Sequence, residues 1–421
     1  MAISSVDTRD VPSPANSLRA FDWVNFFLAA LMMGFGPFIT VNLAVHGWKP
    51  EDIGFVLTAG SVAGLITQVP AGALIDMVRS RRGLLALAAA AATVALLIYG
   101  LRPDFPFVLS AALIQGVAGS VLGPTIAAIS LGLVGHDALA ERLGRNQRFA
   151  SIGGLVAAAI MGVVGYVLST QDIFLLTAAL LIPLLLSLAR IHTSDIHFAR
   201  SCGVHQHATE TERKHPAILF KDHRLLTFAI CLFLFQLANA SLLTLLGQNL
   251  VRAAGSKSSL VVSALVVLPQ IIVALLAPSV GSMANSIGRR PLLIVGLAAV
   301  PIRSTVFAFT ADPTLLIVIQ LLDGLSGATL GVLTALVIAD LTQGTGRFNL
   351  AQGVVGALSA VGASLSTSLS GIVYQKFGQM AGLLSVTAVG ILSVVIVVAF
   401  MPETRPFSRP QTRASTTPPS P

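Results

Sequence analysis

Two charged side chains, Arg303 and Asp323, stand well inside otherwise apolar stretches that follow one another in the sequence. A charge at such depth costs about 2.5–3.5 kcal/mol on insertion scales, so each needs a partner or a wet cavity. Arg303 lies about eight residues before the outer end of its stretch and Asp323 about nine after the outer start of the next, so at ~1.5 Å per helical residue both fall ~12–14 Å below one surface. They are expected to meet. Such a pair either fastens two helices together or opens to take up a proton or an anionic substrate. Carboxamides in other apolar stretches extend the set. Gln236 and Asn239 share a helical face at a spacing of three, Gln68 and Gln115 lie in separate stretches, and Asn25 and Asn42 lie toward the two ends of the first. Amides so placed bond neighbouring helices or line a path for a polar solute.

The elements that must position these groups follow from composition. Of 421 residues, 54% are hydrophobic and 10% charged, against about 25% charged in soluble domains, and the mean hydropathy is +0.84. The apolar stretches run for about 20 residues, the length that crosses ~30 Å of hydrocarbon. Lipid leaves the backbone no partner outside the segment, so they are helices. The formal charge of +8 is spread over short connections, not gathered on the single face that nucleic acid requires. Two cysteines, Cys202 and Cys231, are too few for a disulfide framework. His192, His197, His205, His207 and His215 share a polar connection with Cys202 but lack zinc-type spacing, so neither a metal nor a cofactor is expected. The absence of a clustered nucleophile, base or metal set leaves a membrane-embedded enzyme or sensor as a remote alternative.

Twelve spans are predicted near 22–45, 53–76, 84–101, 106–134, 148–168, 172–190, 225–246, 258–283, 291–310, 314–340, 349–375 and 381–400. The chain divides into an N-terminal segment 1–21, a six-helix half 22–190, a polar linker 191–224, a second six-helix half 225–401 and a disordered tail 402–421. With the N-terminus inside, alternate connections carry 20 Lys and Arg on the inner side against 5 on the outer, which places both termini and the linker in the cytoplasm. Trp23 and Trp48 bracket the first span at interfacial depth. Arg predominates over Lys and the loops are short, as expected of a bacterial inner membrane.

The halves repeat one another. GALIDMVRSRR at 72–82 follows the second span and GSMANSIGRRP at 281–291 follows the eighth, an offset of 281 − 72 = 209. Gly116, Gly119 and Gly123 in the fourth span match Gly324, Gly327 and Gly331 in the tenth at a shift of 208, and RF recurs at 148–149 and 347–348. Asp76 ends a helix, where the macrodipole disfavours a carboxylate, so it should seek a cation or the N-terminus of another helix. Asn285 cannot carry that charge, and a second latch is expected to be weaker.

Twelve spans in two sixes, with these loops after the second and eighth, resemble the major facilitator superfamily over nearly the whole chain. Its loop signature keeps Gly72, Asp76, Arg81 and Arg82 in the first copy, with Met77 and Arg79 departing from it. The second copy keeps Gly281, Gly288, Arg289 and Arg290, with Asn285 departing. Pro402, Glu403 and Thr404 match the family's ending of the last span. The resemblance implies an all-α integral membrane protein of two pseudo-symmetric bundles that closes its cytoplasmic side through these loops, with spans one, four, seven and ten lining a central path. It implies a monomeric secondary transporter of a small molecule in the lipid bilayer, working by alternating access. Proton-coupled export of drug-like or toxic compounds is the expected activity, because few charges line the path. The fifth span lacks the proline of the family's antiporter signature, and Ala112 replaces the arginine that often precedes Gln-Gly in the fourth. The alternative is import of an organic anion or nutrient, with Arg303 as anchor.

Overall fold

The computed structural model describes residues 14–35, 37–167, 169–204, 222–243, 245, 258–310 and 312–405. Among them the chain is helical throughout and no strand forms. The first six spans are α1 (Ala15–Val45, with a 3-10 turn at Met33–Phe35), α2 (Pro50–Met77), α3 (Arg81–Leu101), α4 (Phe105–Val134), α5 (Leu139–Val167) and α6 (Gln171–Ala189). The second six are α7 (His223–Asn239), α8 (Ser258–Ser286), α9 (Arg289–Phe309), α10 (Pro313–Thr342), α11 (348–377) and α12 (379–400).

Local chemistry sets the ends of these helices. Ser80 caps α3 by accepting from the Gly83 backbone N–H at 3.2 Å, and Asp312 caps α10 by accepting from Thr314 at 3.0 Å. Each satisfies a donor that the first turn leaves without a helical partner. Between α11 and α12 the helical hydrogen-bonding runs on, and only Gly378, at φ 86°, turns the chain. A side chain at that φ would be strained.

Two buried apolar cores form. One gathers Phe21, Leu31, Ile75, Leu96 and Phe174 from α1, α2, α3 and α6. The other is built on Phe228, Leu293, Leu333 and Val355 of the second six helices, and it also takes in Leu131, Leu139, Ala140 and Leu143 of the first six. That overlap lies at the end of the bundle where the linker leaves α6, called here the linker end. There the backbones of the two halves touch. A Cβ added at Gly72 would stand within 3.0 Å of Asn349 O, one at Gly353 of Gln68 O, one at Gly281 of Ala140 O and one at Gly144 of Ala277 O.

Several expected boundaries shift, for one reason: a helix begins with polar turns that an apolar count omits. α1 starts seven residues before the expected 22, and α5 starts at Leu139, not 148. Asp22, Arg142 and Arg145 therefore lie within helices and join Arg303 and Asp323 as charges of the spans. The RF echo is also corrected. Arg347 stands at the residue just before α11, whereas Arg148 sits inside α5. The true counterpart of Phe348 is Leu139, at 348 − 139 = 209, the offset of the two loops. The linker and tail are partly ordered: residues 191–204 pack against both halves, and Glu403 is held by four backbone N–H groups. Residues 205–221 and 406–421, with His205, His207 and His215, lie outside the described residues.

Candidate functional site

Arg303 and Asp323 meet. Two-thirds of the way along α9, the guanidinium of Arg303 is buried at 2% side-chain exposure, while Asp323 on α10 is 32% exposed. One Arg303 Nη donates to Asp323 Oδ1 and also reaches Asn239 Oδ1 of α7 at 3.3 Å. Gln320, one turn before Asp323, has Nε2 at 3.5 Å from Asp323 Oδ2 and 3.4 Å from the Leu265 carbonyl. Arg303 Nε and Gln320 Oε1 are buried without a hydrogen-bond partner among the described residues. The arginine thus faces protein and the carboxylate faces space. That space is a cavity of about 250 Å³ bounded by Gln236, Asn239, Gln270, Phe235, Asp323 and Ser326, among others. Gln236 and Asn239 reach it together because three residues of helix bring them to one face.

Gln115 lies elsewhere, in a second cavity of about 250 Å³ formed by α2 and α4 in the first half. Its Oε1 accepts from Tyr99 Oη at 3.2 Å, and Asn42 Nδ2 donates to the Tyr99 carbonyl at 2.9 Å. Gly119 borders this cavity, and a Cβ there would meet nothing within 4 Å. Gly116 and Gly324 instead sit where neighbouring backbones come close, at Gly60 and Pro269. Asn25 does not join either cavity. Its Nδ2 donates to the Phe21 carbonyl at 2.7 Å and lies 3.3 Å from Asn146 Oδ1, within a buried cluster centred on Asp22. Arg142 Nη2 bonds Asp22 at 2.7 Å and its Nε bonds Asn146 at 2.7 Å, while Arg145 grips Asp22 through Nε at 2.9 Å and Nη2 at 2.6 Å.

The latch residues occupy the linker end. Asp76, at the last turn of α2 and fully buried, places its carboxylate against the first turn of α11. It accepts from Asn349 N at 3.3 Å, Asn349 Nδ2 at 2.9 Å and Leu350 N at 3.0 Å. Anions are stabilised at such a terminus by the free N–H groups and the macrodipole. Arg81 is 1% exposed. It donates to Val78 O at 2.6 Å, Ser201 Oγ at 3.2 Å and Cys202 Sγ at 3.0 Å, and stands 4.9 Å from the Phe198 ring. Arg82 donates to the Ile191 carbonyl and, at 3.1 Å, to Thr193 Oγ1.

In the second copy Gly288 turns into α9 at φ 107°. Arg289 donates to Asp340 Oδ2 at 2.9 Å and Ala284 O at 2.8 Å, and Arg290 donates to the Val398 carbonyl. Glu403 accepts from the backbones of Arg289 at 2.8 Å, Arg290 at 3.1 Å, Thr404 at 3.0 Å and Arg405 at 2.9 Å. Burial alone would push its carboxyl up, but these four N–H groups hold it below the ordinary carboxylate value. His136 Nε2, from the first half, stands 2.9 Å from Asp340 Oδ1, off the line of a hydrogen bond.

Sequence reasoning missed Gln270, Asp340, His136 and the Asp22 cluster. The basic run at 142–148 was the visible signal for the last, but it reads as loop charge when α5 is started too late.

Residues 18–383 match the family described as MFS_1 like family. An uncharacterised MFS-type transporter of Mycobacterium tuberculosis strain H37Rv is 31% identical over 401 residues, covering 94% of this chain and 95% of that protein, and its counterpart in strain CDC 1551 gives the same figures. Among solved structures, the nucleoside transporter NupG superposes with a TM-score of 0.62 at 18% identity, covering 91% of this chain and 98% of the other.

Proposed function

The chain belongs to the major facilitator superfamily, as a multi-pass membrane transporter, and from that premise we propose that it moves a neutral, hydrogen-bonding small molecule by alternating access, coupled to protons through Asp323. One observation carries this reading: three carboxamides, Gln236, Asn239 and Gln270, and one carboxylate, Asp323, face the same cavity of the second half. Carboxamides offer both donors and acceptors, which suits a solute with many polar atoms and no net charge. A nucleoside fits that description, and the nucleoside transporter with the same fold supports the choice. The carboxamides and the carboxylate among the cavity's lining favour uptake of a polar nutrient over export of drug-like compounds. An organic anion is disfavoured, because the Arg303 guanidinium is engaged by Asp323 and turned from the cavity.

Coupling follows from the pair. A carboxylate held by one arginine exchanges that partner for a proton when the two separate, and Asn239, which touches Arg303, is placed to sense a solute and loosen the contact. In this reading the linker end is cytoplasmic, the membrane is a bacterial inner membrane, the protein works as a monomer, and the two halves rock about the cavity.

Proteoliposomes test the reading. Uptake of radiolabelled uridine or adenosine should accumulate under an inward proton gradient and collapse with an uncoupler. Asp323→Asn should retain exchange of labelled for unlabelled solute but lose accumulation. Replacing Asp323 by Asn together with Arg303 by Gln should restore expression and not accumulation. Uptake indifferent to the gradient, or full accumulation by the double variant, would leave the pair a purely structural role. Absence of any nucleoside exchange would remove the substrate class.

A further inference from the structure

Residues 195–204 do not hang below the bundle as a tether. They run between the halves at the linker end. Toward the first half, Asp195 Oδ2 accepts from Ser17 Oγ at 2.6 Å, His197 N donates to Gly132 O at 3.2 Å, and Arg81 reaches both Ser201 Oγ and Cys202 Sγ. The Cys202 thiol in turn lies 3.5 Å from the Asp76 carbonyl. Toward the second half, three consecutive carbonyls act as acceptors. Ser201 O takes Asn349 Nδ2 at 3.0 Å, Cys202 O takes Phe348 N at 3.4 Å and Gly203 O takes Gly344 N at 2.6 Å.

We propose that residues 195–204 are a strap carried by the first half, whose Ser201, Cys202 and Gly203 carbonyls dock on residues 344–349 only while the linker end is closed. The two sets of contacts differ in kind. Those to the first half include the buried guanidinium of Arg81, which donates to Ser201 Oγ and Cys202 Sγ and lies against the Phe198 ring. Those to the second half are N–H groups at a helix start and a loop, which water replaces at little cost once the halves part. Asn349 joins the strap to the latch, because its Nδ2 donates both to Ser201 O and, at 2.9 Å, to Asp76 Oδ1. Separation of α2 from α11 therefore releases the strap in the same movement. The inference rests on alternating access and not on the substrate.

The test uses the full chain in proteoliposomes, with Cys231→Ser leaving Cys202 as the single thiol. Cys202 is 1% exposed when the strap is docked. Alkylation by N-ethylmaleimide should be slow in this protein and at least tenfold faster after Asn349→Ala or Asp76→Asn. Hydrogen exchange, read on the same variants, assigns the strap to a half. Amides of 344–350 should exchange at least tenfold faster, while the His197 amide keeps its protection. Unchanged alkylation and exchange would overturn the strap, and equal loss of protection at His197 would overturn its attachment to the first half. Neither readout depends on nucleoside transport, so failure of that reading and failure of this one are separable.

Discussion

The two repeated loops dock alike and lock differently. In both, a glycine near the end of an even-numbered helix lets it settle on the first turn of a helix from the other half, Gly72 on Asn349 and Gly281 on Ala140. The partners are equivalent, since 349 − 140 = 209, the offset of the loops themselves. Charge breaks the symmetry. Asp76 of the first copy crosses to the free N–H groups of α11, whereas Asn285 occupies the same place in the second and carries no charge. In the second copy Glu403 caps α9 of its own half, and Asp340 holds Arg289 of its own half with its other oxygen 2.9 Å from His136 of the first. Duplicated backbone thus fixes where the halves touch, and single side chains decide how firmly each contact holds.

The largest effects should come from filling the shared backbone contact. Gly72→Val and Gly281→Val both force a side chain into backbone that cannot retreat, and overpacking of this kind costs about 1–3 kcal/mol or more. Both should depopulate the closed linker end about equally, seen as faster hydrogen exchange at 349–350 for the first and at 140–141 for the second. A large effect from only one would mean that the docking is not symmetric.

Removing the Asp76 charge should come next. Hydrogen bonds to a charged group are worth about 1.5–3 kcal/mol, so Asp76→Asn should weaken closure roughly tenfold or more while the protein still folds and inserts. Asn285→Ala truncates a partly buried side chain without removing a charge, so it should cost closure less, within about 1 kcal/mol. His136→Gln removes the imidazole that faces Asp340 across the halves, and its loss should cost closure at most ~1 kcal/mol.

The smallest effect concerns Glu403, and its sign is fixed by the direction of its shift. A carboxyl held below its ordinary value stabilises the fold above the ordinary carboxylate range and loses that contribution as pH falls through the folded value. Glu403→Gln should therefore lower thermal stability slightly at pH 7 and flatten its decline in acid, while leaving closure untouched. Solvent screens this partly exposed group, so the change should be within about 1 kcal/mol.

Much of this arrangement can be read from the chain, and what cannot has physical causes. Apolar length and the 209-residue echo state the bundle, because lipid permits nothing else. The cost of a charge in lipid singles out Arg303 and Asp323 as partners, and the helix dipole says what sort of site Asp76 needs. It does not say which helix supplies it, since Asn349 is 273 residues away. Asp22, Arg142 and Arg145 escape notice because the polar first turns of α1 and α5 have the composition of a loop. Gln270 is one amide beside Pro269 in an apolar run, without the companion that draws attention to Gln236. The strap reads as solvated linker because its bonds are mostly made by backbone, on which composition is silent.

The asymmetric lock is tested most directly by the distance across the linker end. Spin labels at Ala138 and Ser286, both exposed and on opposite halves, report it by double electron–electron resonance in proteoliposomes. The unmodified background should give a dominant short distance. Asp76→Asn should move a large share of molecules to a longer one, and Asn285→Ala should leave the distribution unchanged. Equal lengthening by both substitutions, or none by Asp76→Asn, would contradict a closure held by one charged contact.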